Sequence, residues 1–289
     1  MATRTITTPN VTFEAFDEGR GPLVLCLHGF PDQVASFRHQ IPALVAAGYR
    51  VVAPYMRGYA PTSAPKDGRF DAMALGEDVV ALLDALEADT AIVFGHDWGA
   101  VATYFGALLA PARIRKIVTA AVPYGPQFFA AFTTSPAQIH RSWYMFFFQS
   151  PLADVAIRHD DFALIDRLID DWSPAWAIPA EDREATKACF RRGGTVEAAL
   201  AYYRQTMGPM FADPSAAGAT AAAMSMPLPM PGLVLHGARD GCVGAELVAP
   251  MHDYFPAGLR VEIVPDAGHF VHQEQPAVVN RLVLDFLRA

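Results

Sequence analysis

The sequence contains few cysteines and no long uninterrupted apolar run. Its three cysteines, Cys26, Cys189 and Cys242, lie far apart in a chain of 289 residues. An odd and scattered set predicts neither a disulfide framework nor a cysteine-rich metal site, and it suits a reducing cytosol. No uncharged apolar run reaches the length of a membrane span, and the N-terminus lacks the apolar core of a secretion signal. We therefore expect a cytoplasmic protein that does not enter a membrane.

Basic residues are also scarce relative to acidic ones. The chain has 22 Lys and Arg residues against 30 Asp and Glu residues, which gives a net charge of −8. This balance argues against a nucleic-acid partner. Charged residues make up only 18% of the chain and hydrophobic residues 52%, which is enough apolar material for a large core. The length suits one large α/β domain, with or without an insertion.

Apolar runs typical of strands alternate with helical patterns at the two ends of the chain, in residues 1–125 and 227–289. The predicted strands are 11–17, 23–27, 49–53, 91–94, 114–122, 233–236 and 259–264. Helices are predicted after most of them, including residues 245–254 and 275–287. Strands that alternate with helices predict an α/β domain, in which a mostly parallel sheet is flanked by helices. Ligands of such sheets bind at the carboxyl ends of the strands.

This alternation stops between residues 126 and 226. Aromatic residues, proline and helical patterns dominate there, and we expect an all-helical insertion. It is predicted to end in an Ala-, Met- and Pro-rich run from Ala216 to Pro231. The core domain would then comprise residues 1–125 and 227–289, and the helical cap residues 126–226.

The segment from Gly95 to Gly99 joins a predicted buried strand to a predicted helix. Its pattern, Gly-His-Asp-Trp-Gly, has the form of a nucleophile elbow, a sharp turn that exposes one side chain above a sheet. Glycine suits both ends because a Cβ atom would crowd the turn or the helix behind it. The central residue is Asp97 instead of Ser, and a carboxylate, ionised at neutral pH, is a nucleophile without help from a base. The alternative is an Asp that caps the following helix.

Two further candidates follow later strands. Asp240 comes after the strand at 233–236, and His269 comes after the strand at 259–264. The order Asp97, Asp240, His269 is the order of nucleophile, acid and histidine in α/β-hydrolases. Each residue alone has an ordinary explanation in a turn or at a helix end. Their joint placement after three strands is much harder to attribute to chance, so we predict a catalytic triad.

The loop His28-Gly29-Phe30-Pro31 is the candidate for the oxyanion hole, the component that such a site needs besides its three triad residues. In hydrolases of this type the oxyanion hole uses one N–H from this loop and one from the residue after the nucleophile. The backbone N–H groups of Phe30 and Trp98 are therefore predicted to form it. The Phe30–Pro31 bond is a candidate cis peptide, since X-Pro bonds are the common route to that geometry. An ordinary strand-to-helix turn is the alternative.

Together, His-Gly-Phe-Pro, Gly-His-Asp-Trp-Gly and Gly-His-Phe resemble the α/β-hydrolase-fold epoxide hydrolases and, more loosely, the haloalkane dehalogenases. The resemblance covers nearly the whole chain. It implies the α/β-hydrolase fold with a helical cap inserted after the sixth strand. One departure is Tyr55, which stands in a loop where many family members have Asp; because that loop is structural, the catalytic interpretation is unaffected.

Two motifs in the predicted cap, each containing a tyrosine, add to this resemblance. The epoxide hydrolases have a cap motif Tyr-x-x-x-Phe-Gln-x-Pro, which residues 144–151 match, and a second motif in which Tyr precedes Arg, which Tyr203-Arg204 matches. The resemblance implies that Tyr144 and Tyr203 hold the epoxide oxygen and, with Phe30 and Trp98, line the substrate site. Tyr202 competes with Tyr203 for this role, and core packing is the alternative for both motifs.

The implied function is an epoxide hydrolase that converts an apolar epoxide and water to a vicinal diol. Asp97 would form a covalent alkyl ester, and His269, oriented by Asp240, would activate the water that hydrolyses it, with no metal or organic cofactor. Epoxide opening releases an alkoxide about as basic as hydroxide, with water's pKa about 15.7. It needs a proton donor such as a phenol of pKa around 10, whereas a halide does not.

Other functions remain as alternatives. A haloalkane or haloacid dehalogenase with the same triad is the runner-up, kept open by Trp143, Trp172 and Trp176. An esterase is disfavoured because the elbow lacks Ser. A non-catalytic binding protein is disfavoured because every triad member is present. The sequence does not identify the epoxide, and it is compatible with a monomer or a homodimer.

Overall fold

The computed structural model of the protein describes residues 3–213 and 222–289, so residues 216–221 of the predicted Ala-, Met- and Pro-rich run lie outside it. Eight strands form one sheet in the order β1-β2-β4-β3-β5-β6-β7-β8. They are β1 (Thr3–Thr7), β2 (Thr12–Gly19), β3 (Leu23–Leu27), β4 (Arg50–Pro54), β5 (Ala91–His96), β6 (Ile114–Ala120), β7 (Gly232–Gly237) and β8 (Leu259–Val264). Only β2 runs antiparallel to its neighbours. The predicted α/β fold with a mostly parallel sheet is confirmed.

The central strands are buried on both faces, as their continuous apolar runs predict. Every residue of β3, β5 and β7 is buried. Along β3, Leu23, Leu25 and Leu27 join one hydrophobic cluster, whereas Val24 and Cys26 join another. This alternation follows from the two-residue period of a strand, so each face of the sheet has its own core.

Helices cover the two faces. The cluster on one face includes residues of α2 (Ala72–Ala85) and α3 (Trp98–Leu109), which pack against each other. The other includes residues of α1 (Gln40–Ala46) and of the C-terminal helix α12 (Pro276–Arg288), which follows the short helix α11 (Val271–Glu274). None of the helices in the described ranges is long and apolar enough to cross a bilayer.

Residues 121–213, the described chain directly after β6, contain seven helices, and the described part of the segment between β6 and β7 contains no strand. They are α4 (Gln127–Thr134), α5 (Pro136–Arg141), α6 (Trp143–Phe147), α7 (Leu152–Ala156), α8 (Ala163–Trp172), α9 (Ala180–Phe190) and α10 (Thr195–Ala212). We call them the cap helices. They follow the sixth strand, where the insertion was expected. The division into two domains at residues 126 and 226 stays a prediction.

Three local predictions were wrong in detail. Strand β1 was not predicted because it is an edge strand of Thr-rich sequence with a single buried residue, Ile6. The segment between Asp32 and Ala47, where the sequence predicts one helix with a kink at Pro42, forms a 3₁₀ helix at Val34–Phe37 followed by α1, and Pro42 lies in the first turn of α1, where a missing N–H breaks no helical hydrogen bond. Residues Ala245–Tyr254 form 3₁₀ helix instead of α-helix, and they contain Pro250, which has no N–H for a helical hydrogen bond.

A buried ion pair fixes the loop after β4. Arg57, only 1% exposed, donates from Nε to Oδ2 of Asp78 and from Nη2 to Oδ1, both over 2.7 Å. The neighbouring N–H of Met56 donates to Nε2 of His28 over 2.9 Å. This pairing ties the loop to the segment that carries Phe30. Tyr55 is partly buried against the core, so the loop is ordered without the Asp that the family often has there.

Candidate active site

Asp97 lies at the tip of the turn between β5 and α3. Its φ of 52° and ψ of −119° are values that residues other than glycine rarely adopt, and a nucleophile elbow is a known setting for such strain. A Cβ on Gly95 would lie 2.1 Å from the carbonyl oxygen of Gly99, and a Cβ on Gly99 would lie 1.9 Å from that of Leu27. Only glycine permits this turn. The side chain of Asp97 makes no capping hydrogen bond to α3, so the capping alternative is wrong.

The structure brings the three residues predicted as a triad together. Nδ1 of His269 lies 2.9 Å from Oδ2 of Asp240, and Nε2 lies 3.5 Å from Oδ2 of Asp97. All three side chains are buried. Burial by itself lowers the pKa of His269, but its interactions with Cys242, Asp240 and Asp97 outweigh it and raise that pKa well above its ordinary value. The imidazole is therefore positioned between two acids.

Asp240 is held in its charged form by the loop that follows it. Its Oδ1 accepts hydrogen bonds from the backbone N–H groups of Cys242, over 2.7 Å, and Val243, over 2.9 Å. Burial acts to raise the pKa of Asp240, but His269 and these N–H donors bring it below its ordinary value. The same arrangement leaves Oδ2 free to accept from His269 and orient its ring.

The end of cap helix α8 anchors both catalytic loops, which the sequence did not indicate. The carbonyl oxygen of Trp172 accepts hydrogen bonds from the N–H of Gly241, over 3.0 Å, and from the N–H of His269, over 3.1 Å. The next residue, Ser173, donates from its hydroxyl to Glu274, whose other oxygen accepts from the N–H of Gly268. These are mostly backbone contacts, which do not depend on residue type, so the sequence could not have predicted them.

Phe30 contributes the contact expected of an oxyanion hole. Its N–H donates to Oδ1 of Asp97 over 2.6 Å, and the Phe30–Pro31 bond is cis, as predicted. A Cβ on Gly29 would lie 2.3 Å from Oδ1 of Asp97 and 2.7 Å from the backbone nitrogen of Trp98. Both predicted donors are therefore beside the carboxylate, at a position that only glycine leaves open.

Tyr144 and Tyr203 meet above the elbow. Their ring centroids are 5.6 Å apart, and the ring of Tyr203 lies 4.9 Å from that of Trp98. The hydroxyl of Tyr203 has no hydrogen bond to a described protein atom, and that of Tyr144 lies 3.3 Å from Sγ of Cys242. A thiol is a weak hydrogen-bond partner. Burial is the largest cause that raises the pKa of the Tyr144 and Tyr203 hydroxyls well above its ordinary value, and nearby acidic groups act in the same direction. Both phenols therefore stay protonated and can donate a proton.

Tyr202, the competitor of Tyr203, has a different environment. Its hydroxyl donates to the carbonyl oxygen of Arg57 over 2.8 Å, and its ring packs between Trp98 and Phe70. Because it already holds the loop after β4 in place, its hydroxyl is committed to a structural contact. Adjacent residues of a helix point in directions about 100° apart, which separates the two tyrosines.

A small apolar cavity connects the nucleophile to Tyr203, whereas Tyr144, also predicted to line it, is not among its lining residues. It is lined by Asp97, Trp98, Val101, Val122, Phe128, Met145, Tyr203, Met207, Cys242 and Val243. An apolar lining with a few convergent polar groups is typical of a small-molecule site. Phe30, predicted to line it, is instead fully buried among aromatic rings that include Tyr203 and Phe148. Cys242, whose proximity to Asp240 in the sequence was a signal that we missed, does line it.

The tryptophans that kept the dehalogenase alternative open lie elsewhere. Trp143 is 40% exposed, and Trp176 packs on Phe270. Trp172 is buried, with its ring 4.8 Å from that of Tyr144 and 5.1 Å from that of His269. None of the three lines the cavity that contains Asp97.

Two groups of side chains in the described residues bring metal-type ligand atoms within 4.8 Å of one another. One, formed by Asp240, Cys242 and His269, coincides with the triad. The other, formed by Asp32, His96 and His272, lies beside it. In the triad group, Nδ1 of His269 is paired with Asp240 and Nε2 has no hydrogen-bond partner, whereas the second group has three ring nitrogens without a partner among the described protein atoms.

Comparison with known proteins agrees with this geometry. Residues 22–276 match the family model of the alpha/beta hydrolase fold. The chain is 29% identical to the AB hydrolase superfamily protein YfhM of Bacillus subtilis, over 98% of this chain and 96% of that protein. It is equally identical, over the same shares, to epoxide hydrolase A of Mycobacterium tuberculosis.

Solved structures point the same way. Epoxide hydrolase A from Mycobacterium thermoresistibile superposes with a TM-score of 0.80 at 31% identity, covering 100% of this chain and 98% of that one. The Bacillus megaterium epoxide hydrolase, solved with an inhibitor, superposes with a TM-score of 0.87 at 25% identity, covering 99% and 100%. The chain therefore belongs to the α/β-hydrolase fold family and, within it, to the epoxide hydrolases.

Proposed function

We propose that the protein hydrolyses an apolar epoxide to a vicinal diol through a covalent ester on Asp97. The observation that carries this proposal is that Asp97 and Tyr203 line one apolar cavity, with Tyr144 packed against Tyr203. A carboxylate opposed by buried phenols suits a substrate that needs a nucleophile on carbon and a proton on oxygen. The names of the relatives, epoxide hydrolases among them, support the same chemistry.

In the first step, Asp97 attacks an epoxide carbon. Its Oδ1 is held by the N–H of Phe30, which leaves Oδ2 as the attacking oxygen. The carbon–oxygen bond of the ring breaks, and a phenol of Tyr144 or Tyr203 donates its proton to the departing oxygen. The weak contact of Tyr144 with Cys242 and the free hydroxyl of Tyr203 leave both phenols available for this donation.

In the second step, His269 takes a proton from water, and the resulting hydroxide attacks the ester carbonyl of Asp97. The bond from Cγ to the ester oxygen then breaks, that oxygen takes the proton from His269 and leaves as a diol hydroxyl, and the proton of the new carboxylic acid restores the phenol. The negative charge that develops on Oδ1 faces the N–H groups of Phe30 and Trp98, and each such donor contributes on the order of 10²–10³ in rate. Ester formation has by then removed the negative charge of Asp97 from beside His269. The pKa of His269 therefore falls at the stage where a neutral base is required.

Halide release from a haloalkane is the competing reaction, but none of the contacts described for the site favours it. We place the epoxide reaction in the cytoplasm, as the cysteine content predicts, with substrate and water as the partners. The helices between β6 and β7 would form the cap domain that closes the site.

The test is a panel of apolar epoxides and haloalkanes offered to one preparation, with Asp97→Ala as the control. We expect diol from at least one epoxide, no halide release, and no product with the control. Halide without diol would replace the proposal by the dehalogenase assignment. Absence of both products across the panel, with ligands still bound, would indicate a binding protein.

A further inference from the structure

Three ionisable side chains form a second cluster beside the catalytic histidine, outside the lining of the substrate cavity. Asp32, His96 and His272 are at most 4% exposed, and one ligand atom from each lies within 4.8 Å of the others. The ring of His96 lies 5.1 Å from that of His269 and 4.4 Å from that of His272. The proposed reaction uses none of these three groups.

The hydrogen bonding of His96 fixes which of its nitrogen atoms carries the proton. Nε2 lies 3.0 Å from the carbonyl oxygen of His269, which can only accept, so Nε2 must be the donor. In the neutral imidazole, Nδ1 then has a free lone pair. Histidine ligands of metal ions commonly have this arrangement, in which a carbonyl orients the ring through the distal nitrogen.

Three nitrogen atoms of the cluster lack a hydrogen-bond partner among the described protein atoms: Nδ1 of His96 and both ring nitrogens of His272. Leaving such groups buried and unpaired is unfavourable, and most buried polar groups in proteins are paired, so a concentration of unpaired ones in a single cluster points to a ligand. In the neutral rings, Nδ1 of His96 and one nitrogen of His272 offer a lone pair to that ligand, and the other nitrogen of His272 carries a proton.

We propose that Asp32, His96 and His272 form a binding site for a divalent cation of the zinc class, such as Zn²⁺, Co²⁺ or Ni²⁺. Two imidazoles and one carboxylate are donors that these ions prefer to the all-oxygen sets of Mg²⁺ and Ca²⁺. Bonds of about 2.1 Å place two ligands of one ion at most about 4.2 Å apart, which is close to the 4.8 Å within which the three ligand atoms lie.

Neutral imidazoles and an ionised carboxylate are the forms in which these three side chains coordinate a cation. Asp32 also lines a separate small cavity whose polar lining includes Gln33, Ser36, Arg38 and Gln273.

The cation would act as an inhibitor, not as a reaction cofactor. It would lie one hydrogen bond from the residue that must accept a proton in ester hydrolysis. A positive charge there disfavours the imidazolium of His269, so hydrolysis would slow and the ester would accumulate. This kinetic consequence rests on the proposed function, whereas binding of the ion does not.

The experiment uses the tag-free full chain and Co²⁺ as the probe. Bound metal is counted by elemental analysis after free metal is removed, and visible absorption reports the ligand set. The variants are His272→Gln and Asp32→Asn, each checked by thermal unfolding, and Cys242→Ser is the matched control because it alters the other metal-type cluster. We expect one Co²⁺ per chain, without a thiolate-to-metal band, bound at least about 100-fold more weakly by the two variants and equally well by the control.

Absence of bound Co²⁺ in the unmodified protein would overturn the site. So would binding that His272→Gln and Asp32→Asn retain, or binding that Cys242→Ser alone removes, since the ion would then lie on the triad. Zn²⁺ should also slow diol formation in the unmodified protein and not in His272→Gln, each measured against its own metal-free rate. Bound Co²⁺ in a protein that forms no diol would leave the site standing and contradict the proposed function alone.

Discussion

Nε2 of His269 lies 3.5 Å from Oδ2 of Asp97, whereas Nδ1 of the same ring lies only 2.9 Å from Oδ2 of Asp240. The histidine is thus hydrogen-bonded to the acid and merely adjacent to the nucleophile. An Asp needs no proton removed before it attacks, so this separation suits a base that acts only after the ester has formed. The two chemical steps should therefore respond differently to changes in His269.

The first prediction concerns His269→Gln. We expect this variant to form the ester and to hydrolyse it 10²–10⁴-fold more slowly, roughly the usual contribution of a general base. Mass spectrometry should find the mass of the epoxide added to the peptide that contains Asp97. Asp240→Asn should show a smaller accumulation, because it misorients the ring without removing it. An inactive and unlabelled His269→Gln variant would contradict the assigned role.

The second prediction concerns the phenols. Tyr144→Phe and Tyr203→Phe should each slow ester formation by roughly 10²-fold, and the double variant should slow it further, because the departing oxygen loses its proton donors. Rapid-quench measurement of the alkylated protein isolates this step. Tyr202→Phe is the matched control. It should reduce stability by about 1–3 kcal/mol, through the unpaired carbonyl of Arg57, and leave ester formation nearly unchanged. Normal alkylation in the double variant would mean that the phenols only fill the core.

The sequence predicted the parts of the fold that depend on burial. Strands β3, β5 and β7 are buried along their whole length, so their composition alone identifies them. Strand β1 escaped prediction because the sheet edge requires only Ile6 to be apolar, and the rest of its Thr-rich sequence is compatible with a loop. An edge strand forms because it pairs with its neighbouring strand, and strand pairing cannot be read from a single sequence.

The candidate site shows a similar limit. The elbow around Asp97 was visible because its glycines and its position between strand and helix are local features. The cluster of Asp32, His96 and His272 was not, because its members are far apart in the sequence and meet only when the sheet has formed. Likewise, nothing in the pair Tyr202-Tyr203 shows which hydroxyl faces the cavity, since that depends on how α10 packs on the core.

The third prediction concerns pH. Acid should slow ester hydrolysis by protonating His269, about tenfold for each pH unit below its pKa in the ester. Alkylation should stay nearly constant on the alkaline side, because burial raises the pKa of Tyr144 and Tyr203 well above its ordinary value and keeps them protonated. The fraction of enzyme present as ester during turnover should therefore rise as pH falls, which quench and mass analysis would measure. A fall in alkylation that parallels hydrolysis would argue against separate groups for the two steps.

The fourth prediction concerns the ion pair of the loop after β4. Arg57→Leu should lower the free energy of unfolding by about 3–5 kcal/mol, because it leaves Asp78 buried without its partner. Arg167→Leu, which removes an exposed pair with Asp171, should leave it nearly unchanged. Urea unfolding of both variants provides the comparison. Equal effects would show that the buried pair has no special role in holding the loop.

The last prediction tests the covalent step on which the proposed function depends. Two routes would use the same three residues. In one, Asp97 attacks carbon and water later attacks the ester carbonyl. In the other, His269 activates water that opens the epoxide directly, and Asp97 only stabilises charge. The N–H of Phe30, 2.6 Å from Oδ1 of Asp97, favours the first route, because direct attack by water would create no oxyanion at that carboxylate.

The two routes differ in the source of the new diol oxygen. In a single turnover with excess enzyme in oxygen-18 water, the covalent route should yield unlabelled diol, because the oxygen comes from Asp97. The label should appear instead in the peptide that contains Asp97, and it should reach the diol only in later turnovers. Asp97→Ala, which cannot form the ester, provides the blank for peptide labelling. Fully labelled diol in the first turnover, with an unlabelled Asp97 peptide, would exclude Asp97 as the nucleophile and leave His269 to activate water directly.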